Sequence, residues 1–183
     1  MAKILAKKAN LSGNFIQTNL YDLPKVLSEK FDIVYTSIGV LCWLNDLKKW
    51  AEIIAHFLKT GGFFYIAEGH PFSKMFDNEH QEELQLRYNY FHGSEPMEFT
   101  AEGSYATDKP HMKPHKEYEW DHSLSDIINS LIQAGLKIEF FNEYPFAPFQ
   151  IYPFSEQDSN GYYRLKNQKA EIPLLFTLKA SKL

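Results

Sequence analysis

The stretch from Phe31 to Glu68 decides the fold of this chain. Residues 31–36 (FDIVYT) form an apolar run rich in β-branched and aromatic side chains, which is typical of a buried strand. Residues 45–59 (NDLKKWAEIIAHFLK) place apolar side chains at three- and four-residue steps, which predicts an amphipathic helix. A glycine pair at 61–62 precedes a second apolar strand at 63–67 (FFYIA). The stretch therefore predicts a strand–helix–strand unit, the building block of a parallel sheet.

The ends of this predicted helix carry residues that start and stop helices. Asn45 has the side chain of an N-cap, and Lys59 lies where the helix dipole favours a cation. Gly61 is expected to supply the left-handed residue that ends the helix. One apolar face should pack on the sheet, and it consists of Leu47, Trp50, Ile53, Ile54, Phe57 and Leu58.

Strands and helices alternate along the rest of the chain. Ser123 and Asp126 form a capping pair that opens a second amphipathic helix, and Gly135 ends it. Residues 146–163 mix aromatic rings with proline and glycine, which predicts either core packing or a lid over an acceptor pocket. The other predicted elements are helices at 4–9, 24–30 and 79–90 and strands at 14–18, 137–141 and 173–180. This alternation predicts an α/β fold with a mainly parallel sheet covered on both faces.

The bulk composition narrows the class of protein. The 183 residues predict one domain, 1–183, with a surface excursion at about 71–121 where the pattern weakens. A net charge of -4 argues against a nucleic-acid partner, which needs clustered Lys and Arg. No apolar run approaches the length of a membrane span, so no membrane partner is expected. The single cysteine, Cys42, fits a reducing, cytoplasmic compartment.

Three segments, in order, resemble the class I S-adenosylmethionine-dependent methyltransferases. They are TNLYDLP (18–24), FDIV (31–34) with the following SIGVL (37–41), and LKTGGFF (58–64). A later pair, YEWDHSL (118–124) and AGL (134–136), resembles the sixth-strand region of a bacterial branch. The resemblance implies a Rossmann-like sheet, mainly parallel with an antiparallel C-terminal strand, and S-adenosylmethionine as cofactor.

The resemblance also implies roles for residues that follow the strands, where ligands bind in such sheets. Asn19, Leu20 and Tyr21 would lie beside the adenine of the cofactor. Ser37, Ile38 and Gly39 would line its methionine end. The segment 68–70 would face the methyl acceptor.

Part of the family pattern has no counterpart in this sequence. The family's first strand, its Gly-rich turn and the acidic residue that ends its second strand are not found, so the first two strands are expected to be missing. The strand at 14–18 should then pair directly with the strand at 31–36, or with another copy of the chain, because an open edge is a template for pairing. A homodimer through this exposed sheet edge is therefore an expected partner.

Three residues are catalytic candidates. His70 follows the strand at 63–67, where a general base could stand, and its alternative is a solvent-facing turn histidine. His122 precedes a helix, and its alternative is a local capping or packing role. Glu68 could orient the acceptor or offset the sulfonium charge, and its alternative is a surface carboxylate. The spacing of His111 and His115 resembles a metal site, but the adjacent prolines forbid the helix that would align them, so no metal is predicted.

These observations favour methyl transfer to a small-molecule acceptor, impaired by the missing first motif. The alternative is a non-catalytic methyltransferase-like remnant that folds or oligomerises without binding the cofactor well. A nicotinamide-dependent enzyme is a further rival, although its phosphate-binding glycines are equally missing.

Overall fold

The structure is a computed structural model that describes residues 1–91, 93, 95–101, 113–166 and 170–183. Its helices are α1 (Ala2–Lys8), α2 (Leu23–Val26), α3 (Leu47–Phe57) and α4 (Leu124–Gln133). Its strands are β1 (Phe31–Thr36), β2 (Leu58–Gly69), β3 (Met97–Ala101), β4 (His115–Glu119), β5 (Leu136–Tyr144), β6 (Ser155–Gln157), β7 (Tyr163–Leu165) and β8 (Leu175–Lys182). None of the helices within these ranges combines the length and the apolar content needed to cross a bilayer.

A four-stranded sheet in the order β1-β2-β8-β5 forms the centre of the fold. β1 and β2 are parallel, while β8 is antiparallel to both β2 and β5. Three strands therefore run in one direction and the C-terminal strand runs against them, which confirms the predicted α/β sheet. Two separate hairpins, β3–β4 and β6–β7, lie outside this sheet.

Helices α3 and α4 pack on one face of the sheet. Trp50 of α3 is 1% exposed and meets Phe64 of β2 edge to face, with 5.5 Å between ring centroids. Leu131 of α4 and Ile66 of β2 are fully buried in the same cluster. Burying a large apolar side chain contributes about 1.5–3 kcal/mol, so this layer supplies most of the core.

The opposite face of the sheet is only partly covered within the described residues. Ile33 and Tyr35 of β1 are 56% and 57% exposed, and Tyr35 stacks on Tyr65 of β2. Phe140 of β5 meets the other side of Tyr65 and is also exposed. The expectation of cover on both faces is therefore not met in this part of the molecule.

The unit that contains α3 forms as predicted, with shifted ends. Asp46, and not Asn45, is the N-cap, because its side chain accepts the Lys49 backbone N–H at 2.9 Å. The helix ends at Phe57 and not at the glycine pair. Gly61, at φ 79°, instead lies inside β2, where the register against β1 shifts.

Two predicted elements are wrong. Residues 14–18 form no strand, and within the described residues β1 pairs with β2 alone, so the direct pairing of 14–18 with β1 is absent. Residues 79–90 form bends and an isolated bridge from Leu86 to Phe76, and not a helix. An Asx turn at Asp77 and backbone bonds from Arg87 and Tyr88 to Met75 fold this segment back, since it lacks the apolar stripe that would hold a helix on the core.

The capping prediction at the second amphipathic helix is confirmed. Ser123 caps α4 and forms a capping box with Asp126. Gly135, at φ 82°, follows the helix end. The order of helix, glycine and strand places β5 beside β8, so that the carboxyl ends of β1, β2 and β5 meet at one edge of the sheet.

Candidate functional site

A cavity of about 420 Å³ lies at the carboxyl ends of β1 and β2. Loops after these strands form its floor, and the β3–β4 hairpin forms one wall. The loop after β5 contributes Phe149, Ile151 and Tyr152. Ligands of such sheets bind at this edge, and the volume falls in the range of small-molecule sites.

Glu68 holds the floor of the cavity together. Glu68 is only 3% exposed. Its carboxylate accepts four hydrogen bonds from backbone N–H groups: Gly39 at 2.7 Å, Val40 at 2.9 Å, Leu41 at 3.2 Å and Gly69 at 2.8 Å. Hydrogen bonds to an ionised acceptor are stronger than neutral ones. The end of β2 thereby fixes the position of the loop that follows β1.

Gly39 presents bare backbone to this cavity. Its φ of 79° lies in the region that favours glycine, and no heavy atom stands within 4 Å of the place where a Cβ would lie. Ile38 lines the cavity beside it, whereas Ser37 is exposed and does not. The loop therefore offers a cradle in which a ligand can approach the main chain closely.

His70 is buried beside the cavity and is not part of its lining. Its Nδ1 accepts the Phe72 backbone N–H at 3.1 Å, and its Nε2 lies 2.8 Å from Glu143 Oε1. Burial lowers the pKa of His70, and the Glu143 carboxylate opposes that shift. With both ring nitrogens engaged, the imidazole is held in one orientation.

His122 donates from Nε2 to the Leu44 backbone carbonyl at 2.7 Å. Burial lowers the pKa of His122, and the hydrogen bond to Leu44 opposes the shift. The ring lines a void of about 10 Å³, shared with Cys42, Glu68 and Lys74, next to the larger cavity. The histidine thus fastens the start of α4 to the segment before α3.

The segment 19–21 lies at the N-terminus of α3 and does not line the cavity. The Asn19 side chain accepts the Tyr21 backbone N–H at 2.9 Å and caps a 3₁₀ turn at 20–22. The Tyr21 hydroxyl accepts the Asp46 N–H at 3.0 Å and donates to the Asp46 carbonyl at 3.3 Å. Burial raises the pKa of Tyr21, so the hydroxyl stays protonated. Leu20 packs against the core.

The structure thus brings three of the nine candidate residues, Ile38, Gly39 and Glu68, to the cavity wall. The other six lie elsewhere: Asn19, Leu20, Tyr21, Ser37, His70 and His122.

Charged residues that sequence reasoning missed form the far wall of the cavity. Lys74 lies 3.6 Å from Asp121, and Arg87 bonds to Asp77 and Glu79 at 3.0 Å each. Glu119 of β4 also lines the wall. The alternation of half-buried and exposed residues along β3 and β4 could have indicated these strands. Strands of only five residues, however, are hard to distinguish from loop sequence.

The remaining residues singled out in the sequence are Cys42 and the histidines His111 and His115, whose spacing resembles a metal site. Cys42 is buried, and burial raises the pKa of its thiol to about 11, so it is protonated at neutral pH. His111 lies outside the described residues, and His115 is paired with Glu117 at 2.9 Å. No cluster of three or more potential metal ligands occurs in the part of the chain that the structure describes.

Comparison with known proteins points to one family. The methyltransferase domain family matches residues 1–66. No curated protein matches the sequence.

Solved structures share the fold over the whole chain. An S-adenosylmethionine-dependent methyltransferase from Listeria monocytogenes is 15% identical, with a TM-score of 0.60, and the match covers 100% of this chain and 77% of that one. An S-adenosylmethionine-dependent methyltransferase from Mesorhizobium loti is 16% identical, with a TM-score of 0.59, and the match covers 100% of this chain and 77% of that one. The glycopeptide N-methyltransferase MtfA, solved with S-adenosylhomocysteine, is 15% identical, with a TM-score of 0.53 and coverage of 100% and 70%.

The family match and the shared fold confirm the resemblance read from the sequence. The segments that carried it, 18–24, 31–34, 37–41 and most of 58–64, fall within the matched residues 1–66. The observed strand directions agree with the Rossmann-like sheet and antiparallel C-terminal strand that the resemblance implied. Residues 1–66 are thus similar to the methyltransferase domain family, and the chain as a whole shares the fold of S-adenosylmethionine-dependent methyltransferases.

Proposed function

We propose that this chain transfers a methyl group from S-adenosylmethionine to a small-molecule acceptor in the cavity at the carboxyl ends of β1 and β2. One observation carries the proposal: the bare backbone of Gly39 forms an open cradle on a cavity at the edge of the sheet where ligands bind. The match of residues 1–66 to the methyltransferase domain family supports the chemistry, because bound S-adenosylmethionine presents a methyl group on a positively charged sulfur.

The residues of the chain would position the reactants and exclude water. Ile38 and Gly39 would hold the methionine end of the cofactor, and Glu68 would keep their loop in place through its four backbone bonds. Phe149, Ile151 and Tyr152 would close the cavity over the acceptor. Alignment and dehydration are the main contributions a protein makes to such a displacement.

The catalytic roles of Glu68, His70 and His122 stay predictions. The geometry favours positioning for all three: Glu68 binds the Gly39 loop, His70 is bound to Glu143, and His122 is bound to Leu44. The Asn19 carbonyl oxygen already accepts the Tyr21 N–H, and its second lone pair could accept from the adenine amino group.

Calorimetric titration with S-adenosylhomocysteine tests the proposal. We expect binding in the micromolar range and its loss in Gly39→Ala, because the added Cβ enters the cradle. Gly135→Ala is the matched control, since Gly135 has nearly the same φ, 82°, and equally open space at its Cβ but lies at the end of α4. If Gly39→Ala and Gly135→Ala bind S-adenosylhomocysteine equally well, Gly39 does not form part of the cofactor site. If the parent chain shows no detectable heat of binding, the non-catalytic remnant is favoured. If it binds a nicotinamide dinucleotide instead, a nicotinamide-dependent enzyme is favoured.

Self-association through the edge of β1 is a separate proposal. Within the described residues this strand pairs on one side only, and it exposes Phe31, Ile33 and Tyr35. These features support edge-to-edge pairing of two copies.

The single cysteine supports the proposed cytoplasmic setting.

A further inference from the structure

The β3–β4 hairpin aims one carboxylate at the cavity. Met97 is paired with Glu119 across the hairpin, and alternate residues of the two strands share a face. Met97, Phe99 and Glu119 all line the cavity from this face. Glu117 shares the face but is bound by His115 at 2.9 Å and lies outside the cavity lining.

Every other charged group of the described cavity wall has a partner. Glu68 is bound by backbone N–H groups, Lys74 pairs with Asp121, and Arg87 pairs with Glu79. The carboxylate of Glu119 has no hydrogen-bond or ion-pair partner among the described residues. The cavity therefore presents one uncompensated negative charge and no uncompensated positive charge from this part of the chain.

The surroundings of Glu119 make that charge costly without a ligand. Burial raises the pKa of Glu119; Lys74 opposes the shift, and Asp121 and Glu117 add to it. A cation bound at Glu119 would restore the interactions that the carboxylate loses on leaving water. The cations available to an anionic ligand would be Lys74 and Arg87, and both are already paired with carboxylates.

Aromatic rings complete the wall around Glu119. Phe76, Tyr88, Phe99, Phe149 and Tyr152 all line the cavity. Tyr152 is 1% exposed, and its hydroxyl is bound to the Ser73 backbone carbonyl, so the ring is held in a fixed position. Ring faces attract cations, and apolar walls strengthen an ion pair inside them.

We propose that the acceptor is an amine carried on an apolar or aromatic body, and that Glu119 binds its ammonium group in this cavity. The proposal rests on the proposed function, because it assigns the substrate class of that same site. Glu119 acts here as a binding residue for the acceptor, and the rings select the apolar body. Neutral alcohols lack the charge that pairs with Glu119, and carboxylate acceptors would be repelled by it.

Titration calorimetry with three probes of one shape tests the inference. Benzylamine, benzyl alcohol and benzoate are titrated into the full chain, first alone and then with S-adenosylhomocysteine present. We expect benzylamine to bind at least about tenfold more tightly than the alcohol, with no measurable benzoate binding. Glu119→Gln should weaken benzylamine at least about tenfold and leave the alcohol unchanged. Glu117→Gln is the matched control and should leave all three unchanged.

Several outcomes would overturn the inference. Equal affinity for amine and alcohol would do so, as would undetectable benzylamine binding or an unaltered affinity in Glu119→Gln. The probe comparison in the parent chain decides the question even if Glu119→Gln fails to fold. Binding of S-adenosylhomocysteine without amine preference would reject the substrate class and keep the proposed function. Amine preference without S-adenosylhomocysteine binding would reject the proposed function and keep the amine site.

Discussion

At the scale of single residues, Glu68 shows how a carboxylate at a strand end can serve a site by holding a neighbouring loop in place. Its two oxygens accept four backbone N–H groups, three of them from the loop after β1. Buried N–H groups left without acceptors are costly, so the loop depends on this side chain. A sequence position that suggests catalysis is here occupied by a residue that organises the backbone.

Glu68→Gln should therefore destabilise the chain. Each carboxylate oxygen accepts two of the four N–H groups, so whichever oxygen becomes an NH₂ group, two backbone bonds are lost. We expect the free energy of unfolding to fall by about 1–3 kcal/mol in urea denaturation. Glu52→Gln, an exposed position on α3, should change it by less than about 0.5 kcal/mol. Equal effects of the two substitutions would show that the bonds to Glu68 contribute nothing to stability.

The buried His70 and the half-buried His122 predict a pH dependence of stability. Burial lowers the folded-state pKa of both His70 and His122 below the unfolded value of about 6.5. The folded state thus binds fewer protons than the unfolded state, so their contribution is present above that value and is lost as pH falls through the folded-state pKa.

We therefore expect the melting temperature to drop between about pH 7 and about pH 5, and His122→Gln to flatten that slope. Glutamine can still donate to the Leu44 carbonyl, which keeps the contact. His56→Gln, at an exposed histidine of α3, should keep the parent slope. Scanning calorimetry at several pH values measures this slope. An unaltered slope in His122→Gln would show that His122 does not contribute to the pH dependence of stability.

At the scale of elements, the register shift between β1 and β2 depends on Gly62. A Cβ at this position would lie 2.8 Å from the Asp32 carbonyl oxygen, 3.0 Å from that of Lys59 and 3.2 Å from that of Phe31. All three neighbours are backbone atoms, which cannot rotate away. The glycine pair that suggested a helix stop therefore acts in the strand, where it permits close approach to β1.

Gly62→Ala should destabilise the chain by about 1–3 kcal/mol, because overpacking forces the two strands apart. Gly69→Ala is the control in the same strand, since no atom lies within 4 Å of its Cβ position. Chemical denaturation of both variants measures the difference. A Gly62→Ala chain as stable as Gly69→Ala would mean that the β1–β2 junction relaxes freely.

The elements that were predicted correctly are those whose sequence pattern and packing agree. α3 and α4 each carry a continuous apolar stripe, and the capping pair at Ser123 marks a start that the fold keeps. Residues 14–18 alternate like a strand, yet a strand needs a partner to bond with, and that information is not local. Glu119 was missed for the same reason: its place in the cavity follows from pairing with Met97, twenty-two residues earlier.

At the scale of the whole molecule, the sheet has a covered face and a half-open face. α3 and α4 bury Phe64 and Ile66, whereas Tyr35, Tyr65 and Phe140 on the other side form an aromatic row that stays partly exposed. The exposed row ends at β1, whose outer edge is free within the described residues. Apolar surface that adjoins an open strand edge favours association.

Ile33→Lys should weaken self-association of this chain. Ile33 lies in the middle of the edge strand and is 56% exposed, so a lysine there adds charge to the edge without opening the core. Ile132→Lys is the matched control, because Ile132 is 52% exposed but lies on α4, away from β1. We expect sedimentation velocity over a concentration series to show a dimer whose dissociation constant rises at least about tenfold in Ile33→Lys and is unchanged in Ile132→Lys. A parent chain that stays monomeric at every concentration, or an equal loss in both variants, would exclude pairing through the β1 edge.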